Sequence, residues 1–198
     1  GCYTYTIVGI PPCANAVATV CVSVNPAANA GIAMPVTLCA NSGLVNLFNL
    51  LGGSPQPGGT WSNSFGVHSG FFQPGVDPPG PYPYTVHGLA PCIDRSVVVV
   101  VTVNPVANAG SNGVITICDN IFPFSLFTVL GGSPSLSGSW KDPFNVAHTG
   151  IYVPGVSTPG VYTYTVTGLP PCANATATVT VIENSATDAG SPNVISLC

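Results

Sequence analysis

Apolar and polar positions alternate over residues 82–86, 162–166 and 175–181, the period-two signature of strands with one buried face. A short Gly- and Pro-bearing turn joins the last two strands of each set, which predicts a β-hairpin. Upstream, Pro35-Val36-Thr37-Leu38 and Val114-Ile115-Thr116-Ile117 read as short, β-rich first strands. Residues 44–51 and 122–130 are apolar, and their spacing would also suit a short helix. Both end in Gly-Gly-Ser-Pro, and Pro123 disfavours a helix interior, so they predict a strand with room for one helical turn. Trp61 and Trp140 sit on a third element. Phe71-Phe72 and Ile151-Tyr152 mark a further strand, closed by Pro74-Gly75 and Pro154-Gly155. About seven strands in roughly 80 residues predict an all-β fold of two packed sheets.

The pattern repeats in register along the chain. Pro11-Pro12-Cys13-Ala14-Asn15-Ala16 returns as Pro170-Pro171-Cys172-Ala173-Asn174-Ala175, with Ala90-Pro91-Cys92 between them. Cys13, Cys92 and Cys172 are spaced 79 and 80 residues apart, as are Cys39, Cys118 and Cys198. Asn25-Pro26 with Asn29-Ala30-Gly31 returns as Asn104-Pro105 with Asn108-Ala109-Gly110. A period this long means a tandem array of one small domain. Cutting at the Asn-Pro linkers gives the C-terminal part of one repeat (1–26), two complete repeats (27–105 and 106–184) and the N-terminal part of a fourth (185–198).

Each repeat is expected to be an immunoglobulin-like two-sheet β-sandwich. Pro79-Gly80-Pro81-Tyr82-Pro83-Tyr84 and Pro159-Gly160-Val161-Tyr162-Thr163-Tyr164 sit where such domains begin their penultimate strand. There a tyrosine closes the corner through its hydroxyl, and the residue two further on faces the core. Tyr82 and Tyr162 take the corner. Tyr84 and Tyr164 take the core position that antibody domains give to cysteine, with Trp61 and Trp140 expected against them.

Composition narrows the function. Of 198 residues only 4% are charged, against about 25% in a typical domain. Arg95 and Lys141 are the only basic side chains, which leaves no surface for tracking nucleic-acid phosphates or anionic lipid. The longest apolar run, 97–101, is too short to insert in a bilayer. The acids Asp77, Asp94, Asp119, Asp142, Glu183 and Asp188 are scattered, with neither a carboxylate pair for glycoside hydrolysis nor a calcium loop. His68 and His148 belong to the repeat and read as loop hydrogen-bonding residues, while His87 aligns with Thr167 and has no assigned role. Neither an enzyme nor a cofactor is expected.

The set of motifs is similar to repeats of very large cell-surface proteins of Bacteroidetes. It comprises Asn-Pro-x-x-Asn-Ala-Gly, a strand ending in Cys, Phe-x-Leu-Leu-Gly-Gly-Ser-Pro, Gly-x-Trp, and Pro-Gly-x-Tyr-x-Tyr-Thr-Val-x-Gly-x-x-Pro-Cys. Those proteins include gliding-motility adhesins and others exported by the type IX system. The resemblance spans essentially the whole chain and implies Ig-like or PKD-like sandwiches in a surface filament or adhesin, without catalytic residues. Because the pattern starts and stops inside a repeat, at Gly1-Cys2-Tyr3 and Leu197-Cys198, a segment of a longer secreted polypeptide is expected. Its partners would be neighbouring repeats of the same polypeptide, and surface polysaccharide or other copies in a filament. A glycan-binding module using Trp61 and Trp140, or a laterally or covalently assembled fibre, is the alternative.

The eight cysteines form no C-x-x-C pair and have no His at ligand spacing, so they read as disulfides made in an oxidising compartment. Three pairings are open. Within a repeat, Cys39 would bond Cys92 and Cys118 would bond Cys172, leaving Cys13 and Cys198 to other repeats; each loop would contribute about 4 kcal/mol. Across a junction, Cys39 would bond Cys172 and staple successive domains into a rod. Across each linker, Cys13–Cys39, Cys92–Cys118 and Cys172–Cys198 would pair, but a strand ~36 Å long would have to double back. Cys2 and Cys21 depart from the repeat, aligning with Pro81 and Val161, and with Val100 and Thr180. They fall opposite each other if the first hairpin turns near Pro11-Pro12, which predicts a local disulfide, with linkage to another chain as the alternative.

Overall fold

The computed structural model describes residues 1–188, 190 and 193–197; Cys198 lies outside them. Among the described residues the chain is all β apart from two 3-10 turns. It divides into two compact units, Gly1–Val36 with Leu44–Thr102, and Thr37–Gly43 with Val103–Cys198.

Strands β1 (Cys2–Ile7) and β2 (Ala16–Cys21) form a separate antiparallel hairpin. Next come β3 (Val36–Cys39), β4 (Val45–Asn46), β5 (Thr60–Asn63), β6 (Gly66–His68), β7 (Phe71–Phe72), β8 (Gly80–Val86) and β9 (Arg95–Asn104). They make a five-stranded sheet of order β3-β9-β8-β5-β6 and a small sheet β4-β7. The set recurs as β10 (Gly113–Cys118), β11 (Phe124–Ser125), β12 (Ser139–Lys141), β13 (Ala147–His148), β14 (Ile151–Tyr152), β15 (Gly160–Val166) and β16 (Ala175–Asn184). These order as β10-β16-β15-β12-β13 and β11-β14, with β10 parallel to β16.

The alternation seen in the sequence is the burial pattern of the structure. In β8, Tyr82, Tyr84 and Val86 point inward; in β15, Tyr162, Tyr164 and Val166 do. Val99 and Val101 on β9, and Ala177, Val179 and Val181 on β16, complete the two inner faces. One local difference follows from proline. Lys141 pairs with Thr163, but the equivalent Ser62 has no partner at Pro83, which lacks an N–H for the ladder.

The apolar segments after the first strand combine the short strand and the single helical turn for which the sequence left room. Each is a two-residue strand followed by a 3-10 turn, Leu47–Leu50 and Leu126–Val129. The Asn46 and Ser125 side chains accept hydrogen bonds from the Phe48 and Phe127 N–H groups and so start these turns. The turns drive Leu47 and Leu126 fully into the core. Gly70 and Gly150 have φ of +81° and +82°, and a Cβ there would lie 2.6 Å from Cδ1 of Trp61 and Trp140 respectively. Only glycine satisfies both the backbone and the indole.

Candidate functional site

The aromatic core comes first, because it decides what the tryptophans can do. The Tyr82 hydroxyl donates to the Pro78 carbonyl at 2.8 Å, and that of Tyr162 to the Thr158 carbonyl at 2.7 Å. This is the tyrosine corner of immunoglobulin-like domains. Tyr84 donates to the Gln56 carbonyl and accepts from the Gly59 N–H; Tyr164 does the same with Ser135 and Gly138. Trp61 and Trp140 lie 4.9 Å, centroid to centroid, from Tyr84 and Tyr164. They are 6% and 7% exposed, so neither ring is a platform for stacking sugars. The glycan-binding alternative loses the residues it was built on.

The histidines are held by the same layer. Nδ1 of His68 and of His148 accepts from the Gly70 and Gly150 N–H at 3.0 Å, and each ring packs 4.9 Å from Tyr82 or Tyr162. Among the described residues, no group of three or more His, Cys, Asp or Glu is placed to hold a metal ion. Among the described residues, no helix is long and apolar enough to cross a membrane.

Two polar contacts have no clear mark in the sequence. Glu183 accepts from the Tyr152 hydroxyl at 2.7 Å and from the Gly155 N–H at 2.9 Å. Burial, reinforced by the Glu183 carboxylate, raises the Tyr152 hydroxyl above its ordinary pKa. His87 lies 2.8 Å from Asp94, which also accepts from the Gly88 N–H. That backbone bond, then the His87 contact, hold the Asp94 carboxyl below its usual range. His87 therefore has a partner the repeat alignment did not suggest. Asp94 takes the turn-capping place that Asn15 and Asn174 fill by accepting from the Gly9 and Gly168 N–H groups.

The cysteines define the most specific site. Cys39, at the end of β3, is bonded to Cys172, in the turn before β16, across 133 residues of sequence. Both lie in the second unit, so the bond clamps Thr37–Gly43 onto it. The pairs Cys39–Cys92 and Cys118–Cys172 expected within a repeat therefore do not form, nor do Cys13–Cys39, Cys92–Cys118 or Cys172–Cys198. Cys13, Cys92 and Cys118 carry free thiols, the first and last of them exposed. Cys2 is bonded to Cys21.

The reason for this choice is the linker asparagine. Asn104 receives the Ala40 N–H on its carbonyl at 2.9 Å, and its side-chain amide donates to the Pro170 carbonyl at 2.7 Å. One residue thus holds the end of β3 and the Pro-Pro-Cys turn together, with the Cys172 sulfur 3.4 Å from the Asn104 carbonyl. The arrangement recurs in parts. The Asn25 amide donates to the Ala90 carbonyl at 2.8 Å, and the Cys92 thiol lies 3.5 Å from the Asn25 carbonyl. The Asp119 N–H donates to the Asn184 carbonyl at 3.1 Å. The sequence signal was the Asn-Pro pair, read only as a linker.

The corner tyrosines, the two packed sheets and the parallel pairing of β10 on β16 make the fold immunoglobulin-like. No family model and no curated protein matches the chain. Among solved structures it is similar to an I-band fragment from titin at TM-score 0.49 and 11% identity, covering 93% of this chain and 74% of that one. A mutated variant of the same titin domains gives 0.48 and 12% over the same shares. The N-terminal four Ig domains of Dscam1 isoform 4.4 give 0.37 and 17%, over 86% of this chain and 51% of that one.

Proposed function

We propose that the chain is a structural segment of a long extracellular adhesin or surface filament, of the type that its motifs resemble in Bacteroidetes gliding adhesins. In this reading, disulfides lace each sequence repeat to the next. The carrying observation is the Cys39–Cys172 bond, which joins a cysteine of repeat 27–105 to one of repeat 106–184. Two disulfides favour an oxidising location outside the cytoplasm. The function is mechanical. Under tension, the bond takes the polypeptide between Cys39 and Cys172 out of the load path, while the Asn104 bonds keep the junction in place for it. With only 4% of its residues charged, the chain lets repeats or copies lie together without repulsion and with little response to salt.

Pulling the chain from its two ends in a force spectrometer tests this. With the bond intact, unfolding releases none of the contour between Cys39 and Cys172. Added reductant is expected to release a further ~450 Å, at about 3.4 Å per residue. Equal extension with and without reductant would remove the mechanical reading.

A further inference from the structure

Ser135 stands where repeat 27–105 has Gln56, within a frame of backbone bonds that the two repeats share. The Gln56 and Ser135 N–H groups donate to the Asn29 and Asn108 carbonyls, both at 2.9 Å. Their own carbonyls accept from the Tyr84 and Tyr164 hydroxyls. The Asn29 and Asn108 side-chain amides donate to the Ser54 and Ser133 carbonyls at 3.0 and 2.9 Å.

One bond differs. Gln56 Oε1 accepts from the Asn29 N–H at 2.8 Å. A serine side chain is too short to do the same. Among the described residues, the Asn108 N–H has no partner, although its Oδ1, side-chain amide and carbonyl are all bonded. At Ser135 a cavity of about 330 Å³ opens instead. Val106, Ala107 and Val166 supply an apolar wall, and Ser135, Ser137 and Thr167 bring three hydroxyls. Ala107 is only partly buried, whereas its counterpart Ala28 is buried. No ionisable side chain lines the space.

The missing bond states what an occupant must carry. Repeat 27–105 meets this N–H with a neutral carboxamide oxygen on an aliphatic stem. A free donor beside an apolar wall favours a ligand that brings the same acceptor. A carboxylate or phosphate would find no opposite charge there to offset its loss of water. The hydroxyls point to the rest of the ligand. Gly58 and His87 stand where this repeat has Ser137 and Thr167, so both hydroxyls accompany the exchange of Gln56 for Ser135. Neutral donors and acceptors around an apolar wall match a sugar ring that bears the amide.

We infer that this cavity binds an acetamido sugar. The acetamido oxygen accepts from the Asn108 N–H, and its methyl group lies against Val106 and Ala107. Ring hydroxyls exchange hydrogen bonds with Ser137 and Thr167. The site makes no use of the buried Trp140, and it stands whether or not the chain serves in a filament.

The test titrates N-acetylglucosamine into the intact, isotope-labelled chain and follows the backbone amide resonances. Saturable shifts are expected at Asn108, Thr167 and Gly168, with the counterparts Asn29, His87 and Gly88 unmoved. Glucose lacks the acetamido group and acetamide lacks the ring; each should bind at least tenfold more weakly. Ser135→Gln installs the residue that repeat 27–105 carries at this place. It should abolish sugar binding, while the unchanged remainder of the spectrum reports that the fold is kept. Absence of saturable shifts at Asn108, equal binding of glucose or of acetamide, or undiminished binding by the Ser135→Gln chain overturns the inference.

Discussion

Replacing both Cys39 and Cys172 with serine is expected to lower the melting midpoint of the second unit by on the order of 20 °C. The bond closes a loop spanning 133 residues, which in the chain-entropy model stabilises the folded state by about 5 kcal/mol. For a unit of this size each kcal/mol moves the midpoint by about 4 °C. Either single serine variant should lose nearly as much as the double, because the bond disappears in all three. The double variant also removes the odd thiol that could pair elsewhere. Calorimetry of the oxidised protein and the three variants provides the check. A shift of only a few degrees would mean that the Asn104 hydrogen bonds, not the disulfide, hold Thr37–Gly43 to the second unit.

Trp140→Ala is expected to cost the second unit about 3–5 kcal/mol, the range for emptying a large aromatic site in a packed core. Trp140 is buried against Tyr164, and Gly150, which abuts the indole, has no side chain to fill the space it leaves. The loss approaches the whole stability of a small domain, so urea unfolding should show the second unit melting at low denaturant. Tyr164→Phe separates packing from polarity. It keeps the ring but strands the Gly138 N–H and the Ser135 carbonyl, at a cost of about 1–3 kcal/mol. If Trp140→Ala costs less than Tyr164→Phe, the indole is not a core residue.

These two effects differ in how far the sequence foretold them. The period-two alternation and the Pro-Gly-x-Tyr-x-Tyr motif placed Tyr82, Tyr84, Tyr162 and Tyr164 on strands with their inner face identified, because burial of one face leaves a direct mark on residue order. The recurrence of the strand set β3–β9 as β10–β16 follows the tandem period. The 3-10 turns were only half legible: Asn46 and Ser125 act through one side-chain bond each, which hydrophobic spacing does not record. The connectivity of the repeat cysteines was narrowed to three pairings, Cys39–Cys172 among them, but not decided. Cys92 and Cys172 occupy the same place in the repeat, and so do Cys39 and Cys118, so spacing alone allows a bond within or between repeats. What decides is Asn104, whose amide and carbonyl bring the Pro170 turn to the end of β3. The contacts Glu183–Tyr152 and His87–Asp94 belong to single repeats, and the periodic reading passes over such residues. Cys2 and Cys21 were conspicuous for the opposite reason, as departures from the period that face each other across a hairpin.

Non-reducing peptide mapping by mass spectrometry puts the lacing of repeats to the most direct test. The peptide containing Cys172 is predicted to be joined to the one containing Cys39, with Cys92 and Cys118 recovered as thiols from the isolated chain. A Cys118–Cys172 or Cys39–Cys92 peptide would instead make each repeat a separately stapled bead and contradict the covalent junction.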